Sequence, residues 1–402
     1  MRIGISRAAW WGPPKKFNRP SEERRVSWLE LFYDLVYVIA IARITHHLSL
    51  HLKWDGFLEY VCLFILIFWG WLNGSLYHDL HGNEGLRTRL MTLWQMMIIA
   101  ALTITLDQVQ IKSHVNITVV FMIMQLYITY MWWSVGIYDK EHRRYSKPYM
   151  IFYLLALGLM GLSLAVPQQW MKLISPLVII CNYTPPFISH RLLRRHSLDL
   201  NLTSSMFERL GLFTIIVFGE VVLGVVNGIS HVYASNFTTL LNFALALSVV
   251  FSLWWIFFTL VSNRSVKKGF ARATLLELLY IPTLISLGLI ASCLSGLFDE
   301  QHEVHSLQMV FGYAITTFVS CIGVMMGLLE FPPRFRTIKR PIRISLLITA
   351  LVFLTLTLIG FRMNSLYYLL ITLALLIIEI SYVNSLYYGL TTEEKTSTEN
   401  IG

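Results

Sequence analysis

The residues best suited to chemistry are two carboxylates at the start of the first apolar segment. Glu30 and Asp34 stand four residues apart in the run WLELFYDLVYVIAIA, residues 28–42, and residues at this spacing share a helix face. A carboxylate in hydrocarbon costs about 2.5–3.5 kcal/mol on insertion scales. Two adjacent like charges favour retention of a proton by one of them, which suits proton coupling or cation binding. Alternatively, both acids lie in the headgroup zone, solvated or paired with Arg24, Arg25 or an arginine of a neighbouring span.

A second group of candidate residues lies in later segments. Glu220 follows Glu208 by twelve residues in the seventh apolar segment. An acid near the middle of the bilayer is a functional-site hypothesis by default, and the alternative is a protonated Glu220 that donates one interhelical hydrogen bond. Arg43, at the outer end of the first segment, is predicted to be a counter-ion for Glu220 or to reach the outer headgroups. Glu379 is the candidate buried acid of the last segment.

Glu208 has its own predicted partners at the inner surface. It is adjacent to Arg209, so the two side chains point to different faces of the helix and do not obviously pair. Arg25 and Arg87 are the predicted partners of Glu208. The candidates for binding a proton or a substrate are Asp34, Glu220, Glu30, Glu208, Arg43 and Glu379, and no catalytic residue is predicted.

Composition defines the class of protein. The chain has 402 residues, of which 55% are hydrophobic and 14% charged, and its mean hydropathy is +0.60. Soluble domains carry about 25% charged residues, so this chain has too few charges to cover a soluble surface. The net charge of +9 comes from short basic clusters between apolar runs, a pattern of membrane topology rather than of nucleic-acid binding.

The hydropathy pattern predicts twelve membrane-spanning helices, since each needs roughly 20 mainly apolar residues. Their predicted ranges are 29–49, 57–77, 90–107, 115–136, 149–166, 173–190, 206–228, 238–261, 273–297, 307–328, 343–361 and 364–388. Lys and Arg are enriched in cytoplasmic loops. With a cytoplasmic N-terminus, 26 of the 32 Lys and Arg residues fall inside and four outside. We therefore predict an all-α polytopic bundle with both termini in the cytoplasm.

The chain is predicted to contain two parallel six-helix repeats, because three residues recur at similar offsets. The pairs are Trp69 with Trp254, Arg87 with Arg272, and Glu30 with Glu208, at offsets of 185, 185 and 178 residues. Six spans per repeat give both halves the same orientation in the membrane. The predicted regions are a basic cytoplasmic tail (1–27), the first repeat (28–190), a cytoplasmic linker (191–205), the second repeat (206–388) and a disordered tail (389–402).

Other residues favour helix packing or a broken helix. Asn73 and Asn182 are predicted to form interhelical hydrogen bonds, and Gly224 with Gly228 to allow a close helix approach. Three prolines should kink or break the sixth span, which would line a cavity or serve packing; they are Pro176, Pro185 and Pro186. The histidines lack the spacing of a metal motif, and the cysteines lie singly in apolar runs. We predict no metal, no cofactor and no disulfide.

Two long motifs resemble those of the low temperature requirement A family of bacterial membrane proteins. They are WLELFYDLVYVIAIARITHHL (Trp28–Leu48) and ERLGLFTIIVFGEVVL (Glu208–Leu223). The resemblance covers essentially the whole chain. The chain departs from the family pattern in the segment HDLHGNEG (His78–Gly85), where an Asp-rich sequence is expected. The resemblance implies a multi-pass protein of the bacterial cytoplasmic membrane that is linked to growth in the cold, and it supplies no substrate.

Three functions compete at this point. The first is a transporter that is coupled to protons and has a path lined by Asp34, Glu220 and Arg43. The second is a membrane enzyme acting on a lipid or lipid-linked substrate through Glu30, His78 and Asp79. The third is a non-catalytic scaffold or sensor. The predicted partners are the lipid bilayer and a small solute or lipid, without nucleic acid, and the oligomeric state is left open.

Overall fold

The computed structural model is almost entirely helical. It describes residues 26–50, 53–82, 85–107, 113–138, 143–193, 203–230, 237–262, 264–296, 304–360 and 363–399. The helices are α1 (Trp28–Leu50), α2 (Trp54–His81), α3 (Leu86–Asp107), α4 (Ser113–Tyr138), α5 (Arg143–Ala165), α6 (Met171–Tyr183), α7 (Pro185–Leu193), α8 (Ser204–Ser230), α9 (Phe237–Leu260), α10 (Phe270–Gly296), α11 (Val304–Leu328), α12 (Arg336–Ile359) and α13 (Ser365–Glu399). Two-residue strands, β1 (Ser265–Val266) and β2 (Leu329–Glu330), pair antiparallel.

The helices have the dimensions of a multi-pass membrane protein, which confirms the predicted fold class. Among the described residues, eleven helices are long and apolar enough to cross a membrane, with α6 and α7 taken together as one. The first predicted span corresponds to α1, whose 23 residues include two acids and one arginine. At 1.5 Å per residue this helix is about 34 Å long, enough for the hydrocarbon core. The orientation of the termini stays a prediction.

The chain forms two compact units that divide inside α8. The first unit comprises residues 1–213 and the second comprises residues 214–402. The predicted linker at 191–205 precedes this division, and within it the structure describes helix up to Leu193 and the start of α8. The six-helix repeat itself stays a prediction.

In the first unit, neighbouring helices in the chain pack side by side. Helix α1 packs on α2 and α3, α4 on α3 and α5, and α2 also on α4 and α6. Asn73 on α2 accepts hydrogen bonds from Trp132 on α4 (3.3 Å) and Tyr153 on α5 (2.6 Å). Asn182 on α6 accepts one from Gln125 on α4 at 3.0 Å. Both asparagines therefore bridge helices as predicted.

In the second unit, α11 packs on α10 and α12, and α13 packs on α9. Gly224 of α8 lies against the backbone of α10. A Cβ at this position would stand 2.7 Å from the carbonyl oxygen of Ala291, so only glycine allows this approach. The predicted packing role of Gly224 is confirmed.

Two segments differ in detail from the predicted pattern. The sixth span changes hydrogen-bonding pattern at Thr184, between α6 and α7, because Pro185 and Pro186 lack the N–H groups that continue the ladder. Pro176 is accommodated inside α6. Helix α13 continues to Glu399, so the structure assigns helix to residues 389–399, for which the sequence predicts a disordered tail. Glu and Lys residues in this stretch are compatible with helix.

Candidate functional site

Glu30 is first of all a helix cap. The Ser27 hydroxyl and the Ser27 backbone N–H both donate to Glu30 Oε2, at 2.9 and 2.8 Å. The Glu30 backbone N–H in turn faces Ser27 Oγ at 3.4 Å. This reciprocal arrangement is a capping box, which satisfies free N–H groups at a helix start. It fixes the first turn of α1 and leaves Glu30 Oε1 for another contact.

Asp34 lies one turn further along α1 and forms a buried ion pair with Arg209 of α8. Arg209 Nη2 donates to Asp34 Oδ1 at 2.5 Å, and Arg209 Nε lies 3.4 Å from Asp34 Oδ2. The indole N–H of Trp71, on α2, donates to Asp34 Oδ1 at 2.7 Å. The Asp34 side chain is 0% exposed and that of Arg209 is 1% exposed. All these residues belong to the first unit.

Arg209 faces a second acid on its other side. Its Nη1 atom is 3.9 Å from Glu30 Oε1, beyond hydrogen-bond distance. Nη1 is buried and has no hydrogen-bond acceptor among the described residues. One guanidinium thus stands between two carboxylates, bonded to Asp34 and merely close to Glu30.

Aromatic rings enclose this ion pair. The guanidinium carbon of Arg209 lies 5.5 Å from the ring centre of Tyr33 and 5.8 Å from that of Trp71. The Trp71 ring packs on Phe213 at 4.4 Å and on Phe68 at 5.4 Å. Aromatic faces attract a cation electrostatically, and their bulk excludes water, so the charges depend on each other for stabilisation.

Tyrosine and glutamine side chains extend the polar cluster along α1. Gln95 of α3 donates through Nε2 to the hydroxyl of Tyr37 at 2.8 Å and to the carbonyl of Gly70 at 3.1 Å. A Cβ at Gly74 would overlap the Tyr33 hydroxyl and the Gln95 amide. The absence of a side chain at Gly74 therefore makes room for both groups.

The other predicted site residues lie in different surroundings. Glu208 is exposed, and Arg209 beside it occupies the buried position. The predicted partner Arg25 lies outside the described residues, and the predicted partner Arg87 donates instead to the Ser134 hydroxyl at 2.9 Å. Arg43 is exposed.

Glu220 and Glu379 belong to the second unit. Glu220 is half-buried on α8, and its pairing with Arg43 stays a prediction. Glu379 is buried, and it accepts hydrogen bonds from Ser345 at 2.6 Å and Thr349 at 2.8 Å. Glu379 therefore bridges α12 and α13 through two hydroxyl groups.

Sequence reasoning missed the central residue of the site. In the sequence Arg209 stands beside Glu208, whereas its partner Asp34 lies 175 residues away. An arginine of a neighbouring span was among the alternatives for Asp34, and Arg209 is that arginine. Trp71 gave no signal of its own, because Trp is common in membrane segments. The capping box was visible as Ser27 followed three residues later by Glu30.

The fold and the buried charges together define a multi-pass helical membrane protein with an ionic site inside its first helical unit. Such a site places one arginine between two acids, away from water. The sequence profile of the bacterial low temperature requirement A protein (LtrA) family matches residues 25–380. The chain belongs to this family. The comparison with curated proteins found no match.

Proposed function

We propose that the protein is a proton-coupled membrane transporter in which the Arg209 cluster is the proton-sensitive element. The observation that carries the proposal is the placement of one buried guanidinium between Asp34 at 2.5 Å and Glu30 at 3.9 Å. Buried carboxylates need compensating contacts, and both of these acids lie near the same guanidinium. A proton that binds Asp34 therefore changes which acid the guanidinium can pair with.

The geometry supports a two-state exchange. When a proton binds Asp34, that carboxyl no longer pairs fully with Arg209, and the guanidinium is free to turn towards Glu30. Arg209 Nη1 already faces Glu30 Oε1 without a hydrogen bond. Alternatively, an anionic group of the transported solute takes the place that Asp34 leaves. Either exchange links the binding of a proton to a change in the contacts of α8.

The proposed membrane enzyme is less well supported by this geometry. Of its three candidate residues, Glu30 caps α1, His78 lies 2.9 Å from the Thr92 hydroxyl, and Asp79 accepts from Thr203 at 2.7 Å. Each of these side chains thus has a structural role inside the fold.

A liposome assay tests the proposal. The purified protein is reconstituted with a pH-sensitive dye inside, and a panel of sugars, amino acids and organic anions is added outside. We expect one class of solute to drive proton movement in the unmodified protein and Asp34→Asn to abolish it. Glu208→Gln is the matched control, because it removes an exposed acid next to Arg209 and should leave the flux unchanged. The absence of solute-driven proton movement across the whole panel, or full activity of Asp34→Asn, would refute the proposal.

Glu220 enters the proposal as a second proton-binding residue. We expect Glu220→Gln to lower the pH dependence of the same flux. Unchanged pH dependence in this variant would remove Glu220 from the mechanism and leave the Arg209 cluster in place.

The family description names a requirement at low temperature, and we propose that transport by this protein supports growth in the cold in a bacterial cytoplasmic membrane. A host that lacks its own family member provides the test. The unmodified gene and Glu208→Gln should restore growth at low temperature, whereas Asp34→Asn should not. Equal growth of all three strains would separate the ionic site from the cold phenotype.

A further inference from the structure

Two segments of the second unit, which pair through β1 and β2, are rich in basic side chains. The β1–β2 pairing joins the segment before α10 to the segment before α12. The Lys and Arg residues gathered there are Arg264, Lys267, Lys268, Arg272, Arg336, Lys339, Arg340 and Arg343. Glu330, which is exposed, is the acid within residues 264–273 and 329–343. Within these two segments basic residues outnumber acidic ones, which favours the binding of an anion.

Three of these cations converge on the C-terminal end of α11. Lys267 Nζ donates to the carbonyl of Gly327 at 2.8 Å, Lys339 Nζ to that of Leu329 at 2.8 Å, and Arg343 Nε to that of Gly323 at 3.0 Å. Carbonyls at a helix C-terminus carry partial negative charge. They hold the three half-buried cations close together but do not neutralise them.

Gly327 makes the convergence possible. A Cβ at this position would lie 3.1 Å from Nη2 of Arg343, so the guanidinium packs where a side chain would otherwise be. The same residue's carbonyl accepts from Lys267. Two cations therefore meet at one glycine.

Arg264 borders this group and is held by aromatic rings. Its guanidinium carbon lies 4.6 Å from the ring centre of Phe331 and 5.8 Å from that of Phe335. It also hydrogen-bonds the hydroxyl of Tyr387. Lys339 Nζ lies 4.8 Å from the same Phe331 ring. The basic group thus has an apolar aromatic wall.

An exposed apolar face continues from the basic turns of α12. Arg343 and Leu347 are one turn apart and share a helix face, and exposed aliphatic side chains follow along the helix. They are Ile344, Leu347, Ile348 and Leu351, which are 46–58% exposed. In a membrane-spanning helix, such a face contacts acyl chains.

We propose that the basic group around Gly327 binds the phosphate of an anionic glycerophospholipid, with one acyl chain along α12. Basic groups at the ends of membrane helices recognise lipid phosphates through their charge. The juxtaposed aromatic wall and aliphatic face favour a lipid over a free phosphate, which would use the cations alone. This site is separate from the Arg209 cluster and does not depend on the transport proposal.

Native mass spectrometry of the detergent-purified protein tests this site. Phosphatidylglycerol and phosphatidylcholine are offered at equal concentrations to the unmodified protein, to Lys267→Gln/Lys339→Gln and to Lys172→Gln. We expect preferential retention of phosphatidylglycerol and a loss of about 10- to 30-fold in its affinity in the double variant. Lys172, an exposed lysine paired with Asp55, is the control and should behave as the unmodified protein.

The unmodified protein alone also decides the question if the double variant does not fold. Its retention of phosphatidylglycerol should fall with rising salt while that of phosphatidylcholine should not. Equal retention of the two lipids, or unchanged retention in a folded double variant, would overturn the proposal. Binding of inorganic phosphate at these lysines without retention of phosphatidylglycerol would overturn it as well.

Discussion

The two units of the molecule bury different kinds of side chain. Among the described residues, the interior of the first unit includes Glu30, Asp34, Arg87 and Arg209, whereas in the second unit Glu379 is the buried charged residue. The other buried residues described in the second unit are apolar, Ser, Thr or Gln308. Burying charge costs free energy unless a partner compensates it. The buried charges of the first unit therefore need compensating partners, whereas the second unit has fewer such charges to compensate.

Positions that the proposed repeat would match show the same contrast. Trp69 is 1% exposed, while Trp254 is 41% exposed. Arg87 is buried and Arg272 is exposed. If the two halves descend from one ancestral unit, these two pairs of positions have since diverged in burial.

The largest test of this contrast is removal of the buried cation. Arg209→Met leaves Asp34 buried without its partner, and we expect a loss of about 3–5 kcal/mol in the free energy of unfolding. Thermal unfolding in detergent, followed by tryptophan fluorescence, measures it. Arg272→Met, which removes an exposed arginine of the second unit, should stay within about 0.5 kcal/mol. Similar melting of the two variants would contradict the contrast.

A second test addresses packing in the second unit. Gly224→Ala places a methyl group against the Ala291 carbonyl. We expect a loss of about 1–3 kcal/mol in the free energy of unfolding, because the backbone of α10 must shift to make room. Gly219 is the control on the same helix, since a Cβ there meets nothing within 4 Å. Gly219→Ala should be neutral or slightly stabilising. An unchanged melting temperature in Gly224→Ala would show that this close approach is not required.

A third test concerns the helix start in the first unit. Ser27→Ala removes the hydroxyl of the capping box, and we expect a loss of about 1 kcal/mol. The same melting assay detects it, and Ser27→Thr should retain most of the stability. A loss as large as that of Arg209→Met would mean that Ser27 supports more than the first turn of α1.

The smallest expected effect is at the buried acid of the second unit. Glu379→Gln keeps an acceptor for one of the two hydroxyl groups, and we expect a loss of about 0.5–1 kcal/mol. Asp34→Asn serves as the comparison and should cost more, because it removes the charge that Arg209 contacts at 2.5 Å and leaves Glu30 at 3.9 Å. Equal losses in the two variants would contradict the contrast, because the second unit would then depend on its buried carboxylate as much as the first unit does.

The fold could be predicted largely from the sequence, because each spanning helix is recognised from its own apolar residues and from the Lys and Arg residues that flank it. The helices, the interhelical bonds of Asn73 and Asn182 and the role of Gly224 follow from such local signals. The site could be predicted only in part. Asp34 stood out because an acid in an apolar run is costly. Its partner Arg209 did not, because helix packing brings together residues that no periodicity connects.

The Glu30 carboxylate contacts two groups at once: it caps the first turn of α1, and it lies near the guanidinium of Arg209. One oxygen is tied to Ser27, and the other faces the arginine. A movement of Glu30 towards Arg209 that is large enough to stretch the bonds from Ser27 to Oε2 would therefore loosen the first turn of α1. Such fraying would be detected as faster hydrogen exchange at the amides of residues 27–31. It would report whether Arg209 pairs with Asp34 or with Glu30.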